Sequence, residues 1–212
     1  MHDPNLIILD HPLVLDRMTR LRDKNATPEI FRAAVDECAN IIAMEATRTL
    51  KTQPKNITTP LIDMEGQILS GPAPLIVPIL RAGLALSNAF SKVLPEADTG
   101  HVGLYRDEET KRPVQYLVKL PKKLARPIFM VDPMLATGHS MVAAIDTVVS
   151  AGANPDDMVA CVLIAAPEGV ETMRKAYPTM PIITGAMDSH LNDHAYIVPG
   201  LGDAGDRYFG TV

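Results

Sequence analysis

Apolar runs of strand length alternate with amphipathic runs of helix length over residues 128–186 of this 212-residue chain. Strands are predicted at 128–131, 158–165 and 182–186, and helices are predicted at 141–150 and 169–177. Strands that are joined through helices pair in parallel, and the helices cover both faces of their sheet. The predicted fold class is therefore α/β, with a doubly wound, mostly parallel sheet and a ligand site beyond the carboxyl ends of its strands.

The first half of the chain extends this pattern. A helix is predicted from residue 28 to about residue 50, because Thr27 suits an N-cap and Pro28 suits the first helical position. A buried strand is predicted at 75–80, a helix at 84–93 and a second strand at 101–105. We interpret residues 1–212 as one domain, in which residues 1–27 form an N-terminal segment.

Residues 107–127 differ in character from the segments on either side. They are rich in charge and contain Pro113, Pro121 and Pro127, with an alternating apolar run at 114–118. We expect a β-arm here, a hairpin that projects from the sheet and is partly mobile.

The segment 129–140 joins an apolar run, one acid and a loop of small residues. Asp132 ends the predicted strand, and Thr137 to Ser140 lead into the next helix. The first N–H groups of a helix lack intrahelical acceptors, so this loop suits a phosphate monoester, while the Asp132 carboxylate suits sugar hydroxyls. A Walker-type phosphate loop is not indicated, because position 139 is His where that motif needs Lys.

Two arginines follow other predicted strands at the same edge of the sheet. Arg81 comes directly after the strand at 75–80, and Arg106 comes after the strand at 101–105. A guanidinium binds phosphate oxygens in a bidentate manner. A structural ion pair remains the alternative for Arg81, and an ordinary surface charge remains the alternative for Arg106.

Composition indicates which classes of partner the chain could bind and in which cell compartment it would occur. A net charge of −5 without a cluster of Lys and Arg on one helix argues against a nucleic-acid partner. No signal-peptide pattern and no run of membrane-spanning length is visible, so we expect a cytoplasmic protein with no membrane partner. Cys38 and Cys161 lie in apolar periodic stretches and are interpreted as buried thiols.

Four segments in order resemble the type I phosphoribosyltransferases, in the form found in uracil phosphoribosyltransferases. They are 77–84, 103–110, 129–140 and 196–206, and Pro133 stands where the general phosphoribosyl loop has a second acid. The resemblance implies transfer of a phosphoribosyl group from 5-phosphoribosyl 1-diphosphate (PRPP) to uracil, with Mg²⁺ as cofactor, held mainly through PRPP rather than by protein ligands. It also implies a homo-oligomer, dimer or tetramer, and GTP as a possible activator.

The resemblance assigns roles to residues of this chain. Residues 188–212 would form a hood over the base, and the loop that contains Arg81 would carry a strained peptide bond. Catalytic roles would fall to Arg81, Arg106 and Asp203, with Lys111 and Arg112 assisting Arg106. Uracil would contact Ile197, Gly202, Asp203 and Ala204. The PRPP-binding residues would be Arg81, Arg106, Asp132, Pro133, Met134, Leu135, Ala136, Thr137, Gly138, His139, Ser140 and Asp203.

Several alternatives were weighed against this interpretation. Gly200, Gly202 and Gly205 match a dinucleotide-binding pattern, but too little chain follows them for the helix and strand that this pattern requires. His190 and His194 have a spacing known from zinc sites, but they lack a third ligand candidate nearby. Other functions on the same fold are an RNA-binding or non-catalytic pyrimidine sensor and a phosphoribosyltransferase for another base.

One residue departs from the family pattern. The family loop usually has a second glycine where this chain has His139. If the position needed a positive φ or bare backbone against the phosphate, histidine would cost of the order of 1 kcal/mol. The side chain would otherwise point outward or add a titratable donor beside the phosphate.

Overall fold

A mostly parallel sheet forms the centre of the structure, a computed structural model that describes residues 3–106 and 113–211. The strands are β1 (Leu6–Ile8), β2 (Thr52–Thr58), β3 (Asp63–Leu69), β4 (Leu75–Leu80), β5 (Asp98–Thr99), β6 (His101–Arg106), β7 (Pro113–Lys119), β8 (Ile128–Val131), β9 (Met134–Leu135), β10 (Met158–Ala165), β11 (Ile182–Met187), β12 (His190–Leu191) and β13 (Ile197–Val198). The helices are α1 (Pro12–Arg22), α2 (Pro28–Ala46), α3 (Leu84–Val93), α4 (His139–Ser150), α5 (Pro167–Ala176) and α6 (Ala204–Phe209), with single 3-10 turns at Thr47–Thr49 and Pro155–Asp157.

The central sheet has the order β1-β11-β10-β8-β4-β6-β7, with β5 beside β4 and β9 beside β10. Each of these pairings is parallel except that of β6 with β7, which is antiparallel. Side chains alternate between two hydrophobic cores along the strands. One core lies under α1, α2 and α3, and the other lies under α4 and α5. The predicted α/β class with helices on both faces is confirmed.

The long helix predicted after residue 27 is α2, which is followed by the first 3-10 turn. The Thr27 hydroxyl accepts a hydrogen bond from the Ile30 N–H at 3.4 Å, and Pro28 is the first helical residue. Phe31, Val35 and Ile42 are buried on one face of α2, as the helical period predicted.

Besides the three-residue strand β1, two larger features of the first 70 residues were not predicted. One is α1, which buries Val14, Met18 and Leu21 within the N-terminal segment. The other is the hairpin of β2 and β3, an antiparallel pair in which nearly every residue is exposed. Strands that are exposed on both faces carry no hydrophobic alternation, so this hairpin gave no signal in the sequence.

The arm predicted at 107–127 lies partly within the described residues. Residues 113–119 form β7, which pairs with β6 as an antiparallel hairpin at the edge of the central sheet. A second antiparallel hairpin, at 52–69, was not predicted. Residues 107–112, with Lys111 and Arg112, lie outside the described residues.

Both cysteines fit the prediction of buried thiols. Cys38 and Cys161 are free and buried, and burial raises the pKa of each thiol, to about 12 for Cys38. No helix of the described residues combines the length and apolarity needed to cross a membrane.

Candidate active site

Three of the predicted site segments leave the same edge of the sheet. The parallel pairs β4–β8 and β4–β6 bring Pro78 beside Val131 and Leu80 beside Gly103. Arg81 therefore follows its strand close to where Asp132 follows β8. Arg106 ends β6 at this edge, and its side chain lies outside what the structure describes.

The loop after β8 is divided between residues that face a cavity and residues that hold the loop in place. A cavity of about 150 Å³ is lined by Asp132, Met134, Leu135, Ala136, Thr137, Gly138, His139, Ser140, Met141 and Ala195. Pro133 is buried and absent from this lining, and its carbonyl accepts from the N–H groups of Leu163 and Ile164 at 3.0 and 3.2 Å. The Leu135 side chain is 1% exposed and belongs to the core. Pro133 and Leu135 thus anchor the loop to β10.

Glycine contacts fix the turn into α4. Gly138 has φ +80°, and a Cβ on it would lie 2.7 Å from the Gly169 carbonyl oxygen. A Cβ on Gly169 would lie 2.5 Å from the Ala136 carbonyl oxygen. The two glycines therefore let the loop pack directly against the first turn of α5, a contact between segments 30 residues apart that the sequence did not reveal.

His139 occupies the first position of α4 with an ordinary backbone. Ala195 is the non-glycine residue with positive φ among the described residues, so the left-handed conformation in this loop belongs to Gly138 and not to His139. The His139 side chain is exposed. The backbone cost considered for histidine at this position is therefore absent.

The start of α4 presents free backbone donors to the cavity. Gly138 is the N-cap, and no side chain of the described residues caps the helix. The N–H groups of His139, Ser140 and Met141 are the first-turn donors that have no acceptor within their own helix. Together with the helix dipole they favour an anion at this point.

Asp132 is half-buried at the base of the loop. Burial raises the pKa of its carboxyl to about 8, although a hydrogen bond from the Met134 N–H partly opposes the rise. No Lys or Arg of the described residues forms an ion pair with it. A carboxyl that is neutral near pH 7 sits beside a phosphorylated ligand without repulsion between like charges.

Arg81 lies on an exposed turn between β4 and α3. The Leu80–Arg81 peptide bond is cis, in the loop where the resemblance implied a strained peptide bond. Gly83 in this turn packs closely against protein, because a Cβ there would lie 2.5 Å from the Val131 carbonyl oxygen. No carboxylate of residues 3–106 and 113–211 pairs with Arg81. Within that part of the chain, the alternative of a structural ion pair has no support.

The predicted hood consists of β12, β13 and α6, and it lies beside the Arg81 turn. A Cβ built on Gly205 would lie 3.7 Å from the Ala82 Cβ. The Val198–Pro199 peptide bond is cis, and Gly200 and Gly202 have φ of +68° and +78°. Asp203 is the N-cap of α6, and its Oδ1 accepts from the Asp206 N–H at 2.9 Å.

The residues expected to contact the base differ in exposure. Ile197 and Ala204 are buried, at 4% and 3% exposure, while Gly202 and Asp203 are exposed. Among the described residues, no protein group pairs with the N–H or C=O of Gly202 or with the N–H of Ala204. Two donors and an acceptor of the main chain are thus left for a ligand.

The sequence as a whole matches one known family. The profile of the family described as uracil phosphoribosyltransferase matches residues 8–211. The chain belongs to the uracil phosphoribosyltransferase family.

Individual members of the uracil phosphoribosyltransferase family resemble the chain along nearly its full length. A uracil phosphoribosyltransferase from Rhodospirillum centenum is 49% identical over 208 residues, which are 98% of this chain and 96% of the relative. One from Dictyoglomus thermophilum is 48% identical over 207 residues, which are 97% of this chain and 99% of the relative. A solved structure of a protein from Aquifex aeolicus superposes with a TM-score of 0.89 at 31% identity, covering 96% of this chain and 97% of that one.

More distant structures share the fold. An adenine phosphoribosyltransferase from Trypanosoma brucei, solved with AMP, pyrophosphate and ribose 5-phosphate, has a TM-score of 0.58 at 13% identity and covers 87% of this chain and 84% of that one. Like these proteins, this chain has a mostly parallel central sheet with flanking helices.

The two rejected motifs have other structural roles in this family member. Gly200 and Gly202 lie in a turn and Gly205 lies in α6, a helix of six residues, so they do not form a dinucleotide-binding unit. His190 lies in β12 and His194 in the following turn, so they do not share a helix face. The described residues contain no group of three or more metal-ligating side chains.

Three residues that support the hood were missed in the sequence. Arg22 in α1 pairs with Asp188, and Arg207 donates to the carbonyls of Leu21, Asp23 and Leu201. Asp188 did carry a signal, because it is an acid that directly follows a buried strand at the ligand edge, as Asp132 does. The arginines carried none, because their partners are far away in the chain.

Proposed function

We propose that this chain transfers the 5-phosphoribosyl group of PRPP to N1 of uracil, with UMP and diphosphate as products. The observation that carries the proposal is the hood beside the phosphate loop. The main-chain groups of Gly202 and Ala204 are unpaired among the described residues, and Gly205 lies against Ala82 in the turn that bears Arg81.

PRPP would bind along the edge of the sheet. Its 5-phosphate fits the cavity at the start of α4, where backbone N–H groups and the hydroxyls of Thr137 and Ser140 are available. Its ribose hydroxyls fit the Asp132 carboxyl. Its diphosphate would then lie towards Arg81 and Arg106, whose guanidinium groups suit bidentate contact with phosphate oxygens.

Uracil suits the unpaired groups of the hood. One edge of the base presents two carbonyl oxygens with an N–H between them, which requires two donors flanking an acceptor. The N–H groups of Gly202 and Ala204 and the C=O of Gly202 supply this set, and buried Ile197 supplies an apolar neighbour. Orotate would bring an additional carboxylate, and the segment 196–204 contains no cation to receive it.

The reaction would be a displacement at C1 of the ribose. The bond between C1 and the diphosphate oxygen breaks, the bond between N1 of uracil and C1 forms, and the N1 proton passes to Asp203 or to water. Positive charge spreads over the sugar ring in the transition state, and negative charge grows on the leaving diphosphate. Catalysis would come from positioning and from the positive charge of Arg81 and Arg106 beside the leaving group.

Mg²⁺ would supply further neutralisation of the diphosphate charge when it is bound. Among the described residues that line the cavity, Asp132 is the one with an acidic side chain. A single carboxyl group with a raised pKa does not form a cage of ligands, and it fits an ion that keeps its waters and takes oxygen atoms from PRPP, as the family implies.

Release of diphosphate from PRPP and Mg²⁺ in the presence of single bases tests the proposal. We expect turnover with uracil and at most trace turnover with adenine, hypoxanthine or orotate. Turnover with another base and silence with uracil would refute the base assignment. Retention of RNA at physiological salt without turnover of any base would favour the sensor alternative.

The proposal includes GTP as an activator, and this part rests on the family resemblance alone. Measuring uracil turnover with and without GTP, at a PRPP concentration below its KM, tests it directly. An unchanged rate across GTP concentrations would remove GTP from the proposal.

We also propose that the chain forms a homo-oligomer through the hairpin of β2 and β3. Leu61 and Ile62 at the hairpin tip are 90% and 67% exposed, and Ile57, Met64 and Ile68 add further exposed apolar surface. A projecting apolar hairpin is costly to leave in water and suits burial against another copy. Light scattering should give a dimer or tetramer, and Leu61→Asp with Ile62→Asp should lower the mass. An unchanged mass in this double variant would exclude the hairpin tip from the interface.

A further inference from the structure

Arg22 and Asp188 form a partly buried ion pair at the base of the hood, and neither residue lines the cavity that was assigned to PRPP. The Asp188 side chain is 3% exposed and the Arg22 side chain 27%. Arg22 donates through Nη1 to Asp188 Oδ2 at 2.8 Å and through Nη2 to Oδ1, so the pair is bidentate. A desolvated pair of this kind needs hydrogen bonds to its remaining atoms.

Those remaining hydrogen bonds go to a single residue of the hood. The Gly200 N–H donates to Asp188 Oδ2 at 2.7 Å, and the Gly200 C=O accepts from Arg22 Nη1 at 2.8 Å. The ion pair therefore binds both polar main-chain groups of Gly200. This residue has no side chain with which to contact anything else.

Gly200 has little freedom to move when these contacts are made. Its φ is +68°, and a Cβ on it would lie 2.0 Å from the Ile197 carbonyl oxygen. Two residues later, Gly202 offers its unpaired N–H and C=O. The orientation of the Gly200 peptide groups thus sets the direction in which the chain enters the segment 201–204.

The pair is itself attached to rigid elements. Arg22 is the last residue of α1, and Asp188 follows β11, where its N–H donates to the Ala165 carbonyl of β10 at 2.8 Å. Arg207 reinforces the arrangement from the other side, because its Nη1 donates to the Leu201 carbonyl at 2.7 Å. The carbonyls of Gly200 and Leu201 thus both accept hydrogen bonds from arginines.

We propose that Arg22 and Asp188 are positioning residues for the pyrimidine base: they hold Gly200 so that the main chain of Gly202 and Ala204 meets the base edge. This inference rests on the proposed function. It predicts that loss of the pair weakens binding of uracil but leaves binding of PRPP nearly unchanged, because, among the described residues, no hydrogen bond or ion pair joins the loop at 132–140 to the pair.

Steady-state kinetics of the full-length chain test the proposal with three variants. Arg22→Ala should raise the KM for uracil by about tenfold or more, while the KM for PRPP changes by less than about threefold. Arg20→Ala is the matched control, because Arg20 lies on the same helix, is 56% exposed and pairs with Asp16 at the surface. It should behave as wild type.

The variant Arg22→Ala leaves a buried carboxylate without its partner, so instability alone has to be separated from lost positioning. The double variant Arg22→Ala with Asp188→Ala removes both charges. Its thermal midpoint should recover towards wild type while the KM for uracil stays raised. A uracil KM that recovers together with the thermal midpoint, or KM values for uracil and PRPP that rise equally, would overturn the proposal.

Hydrogen exchange of the Gly200 amide provides a readout that does not depend on activity. In the enzyme without substrates, Arg22→Ala should increase exchange at Gly200 at least about tenfold and leave exchange at 134–140 unchanged. Absence of uracil turnover in the wild type would refute the proposed function only. Unchanged exchange at Gly200 in Arg22→Ala would refute the positioning role only.

Discussion

The phosphate loop at 132–140 and the hood at 196–206 lie at the same edge of the sheet but are held in place by different means. The loop is held by main-chain contacts. Pro133 and Leu135 accept hydrogen bonds from N–H groups in and just after β10, and Gly138 packs on Gly169. The hood is held by arginine side chains that join it to α1, one from each side of the contact. Arg22 binds Gly200 across 178 residues, and Arg207 binds Leu21 across 186 residues.

This difference suits the groups that each region would bind. A phosphate is bound by the free N–H groups at the start of a helix. These groups need only a preceding turn with a suitable backbone conformation, and no particular side chains. A flat base with a fixed order of donors and acceptors requires a non-helical backbone held at one angle, and two arginines provide that. We therefore expect the two regions to respond separately to substitution, except where they meet at the Arg81 turn.

Substitution at the junction of the two regions should have the largest effect on rate. Arg81→Ala removes a cation that would stabilise the leaving diphosphate, so kcat should fall about 10²- to 10³-fold at saturating substrates. Steady-state diphosphate release measures this, and Arg48→Ala, a change at an exposed arginine paired with Glu45, should leave kcat unchanged. Near-normal turnover of Arg81→Ala at saturating PRPP would show that Arg81 has no such role.

Substitution of Gly138 should damage the loop and spare the hood. In Gly138→Ala the new Cβ would lie 2.7 Å from the Gly169 carbonyl and 2.9 Å from the Thr172 Cβ, so we expect a loss of about 2–4 kcal/mol in the free energy of unfolding and a higher KM for PRPP. Urea titration and kinetics measure the two effects.

Gly152 provides the matched control for Gly138. It also has positive φ, +105°, but a Cβ there meets nothing within 4 Å. Gly152→Ala should therefore cost only about 1 kcal/mol, the cost of backbone strain without a clash. Equal losses in the two variants would mean that the contact between Gly138 and α5 contributes nothing.

Asp132 should make the stability of the loop region depend on pH. Its pKa is raised to about 8 from an ordinary value of 3.8, so the folded protein binds this proton more tightly than the unfolded chain does. The resulting stabilisation is complete below about pH 4 and is lost as the pH rises through about 8.

The variant Asp132→Asn lacks this titration and isolates its effect. It should be more stable than wild type by roughly 1–3 kcal/mol at pH 8.5, with a smaller difference at pH 5. Its KM for PRPP at pH 8.5 should rise, because an amide is a poorer acceptor for ribose hydroxyls than the carboxylate that Asp132 carries above its pKa of about 8. A difference in the free energy of unfolding that stays constant from pH 5 to 8.5 would contradict the raised pKa.

The contrast between the two regions also explains which parts of the site were predictable. Asp132, Arg81 and the turn into α4 were predicted because each follows a buried apolar strand directly, and parallel strands bring their carboxyl ends to one edge. The support of the hood was not predictable in this way. Arg22 has the local sequence context of an ordinary surface charge. Asp188 directly follows a buried strand, but its partner lies 166 residues away and is not indicated by the sequence.

The same reasoning applies to the fold. Strands buried on both faces, such as β10, are visible as uninterrupted apolar runs. The exposed hairpin of β2 and β3 has no buried face, so its strands produce no pattern and it was not predicted. The partners of Gly138, Gly169 and Gly83 are also invisible in sequence, because a glycine required for close packing looks the same as a glycine in a loose turn.

The smallest effect is expected at His139, where this chain departs from its family. His139 begins α4 with an ordinary φ and an exposed side chain, and the positive φ belongs to Gly138. His139→Gly should therefore change the KM for PRPP by less than about threefold at pH 8, equivalent to about 0.6 kcal/mol. Steady-state kinetics with PRPP as the varied substrate measure this change.

Ser140→Ala is the comparison for this variant, because it removes a hydroxyl donor from the cavity lining while keeping the helical backbone. It should weaken PRPP binding more than His139→Gly does. A large gain in PRPP affinity for His139→Gly would mean that the histidine obstructs the phosphate. The loop would then depend on a side chain, as the hood does, and the distinction between the two regions would fail at this position.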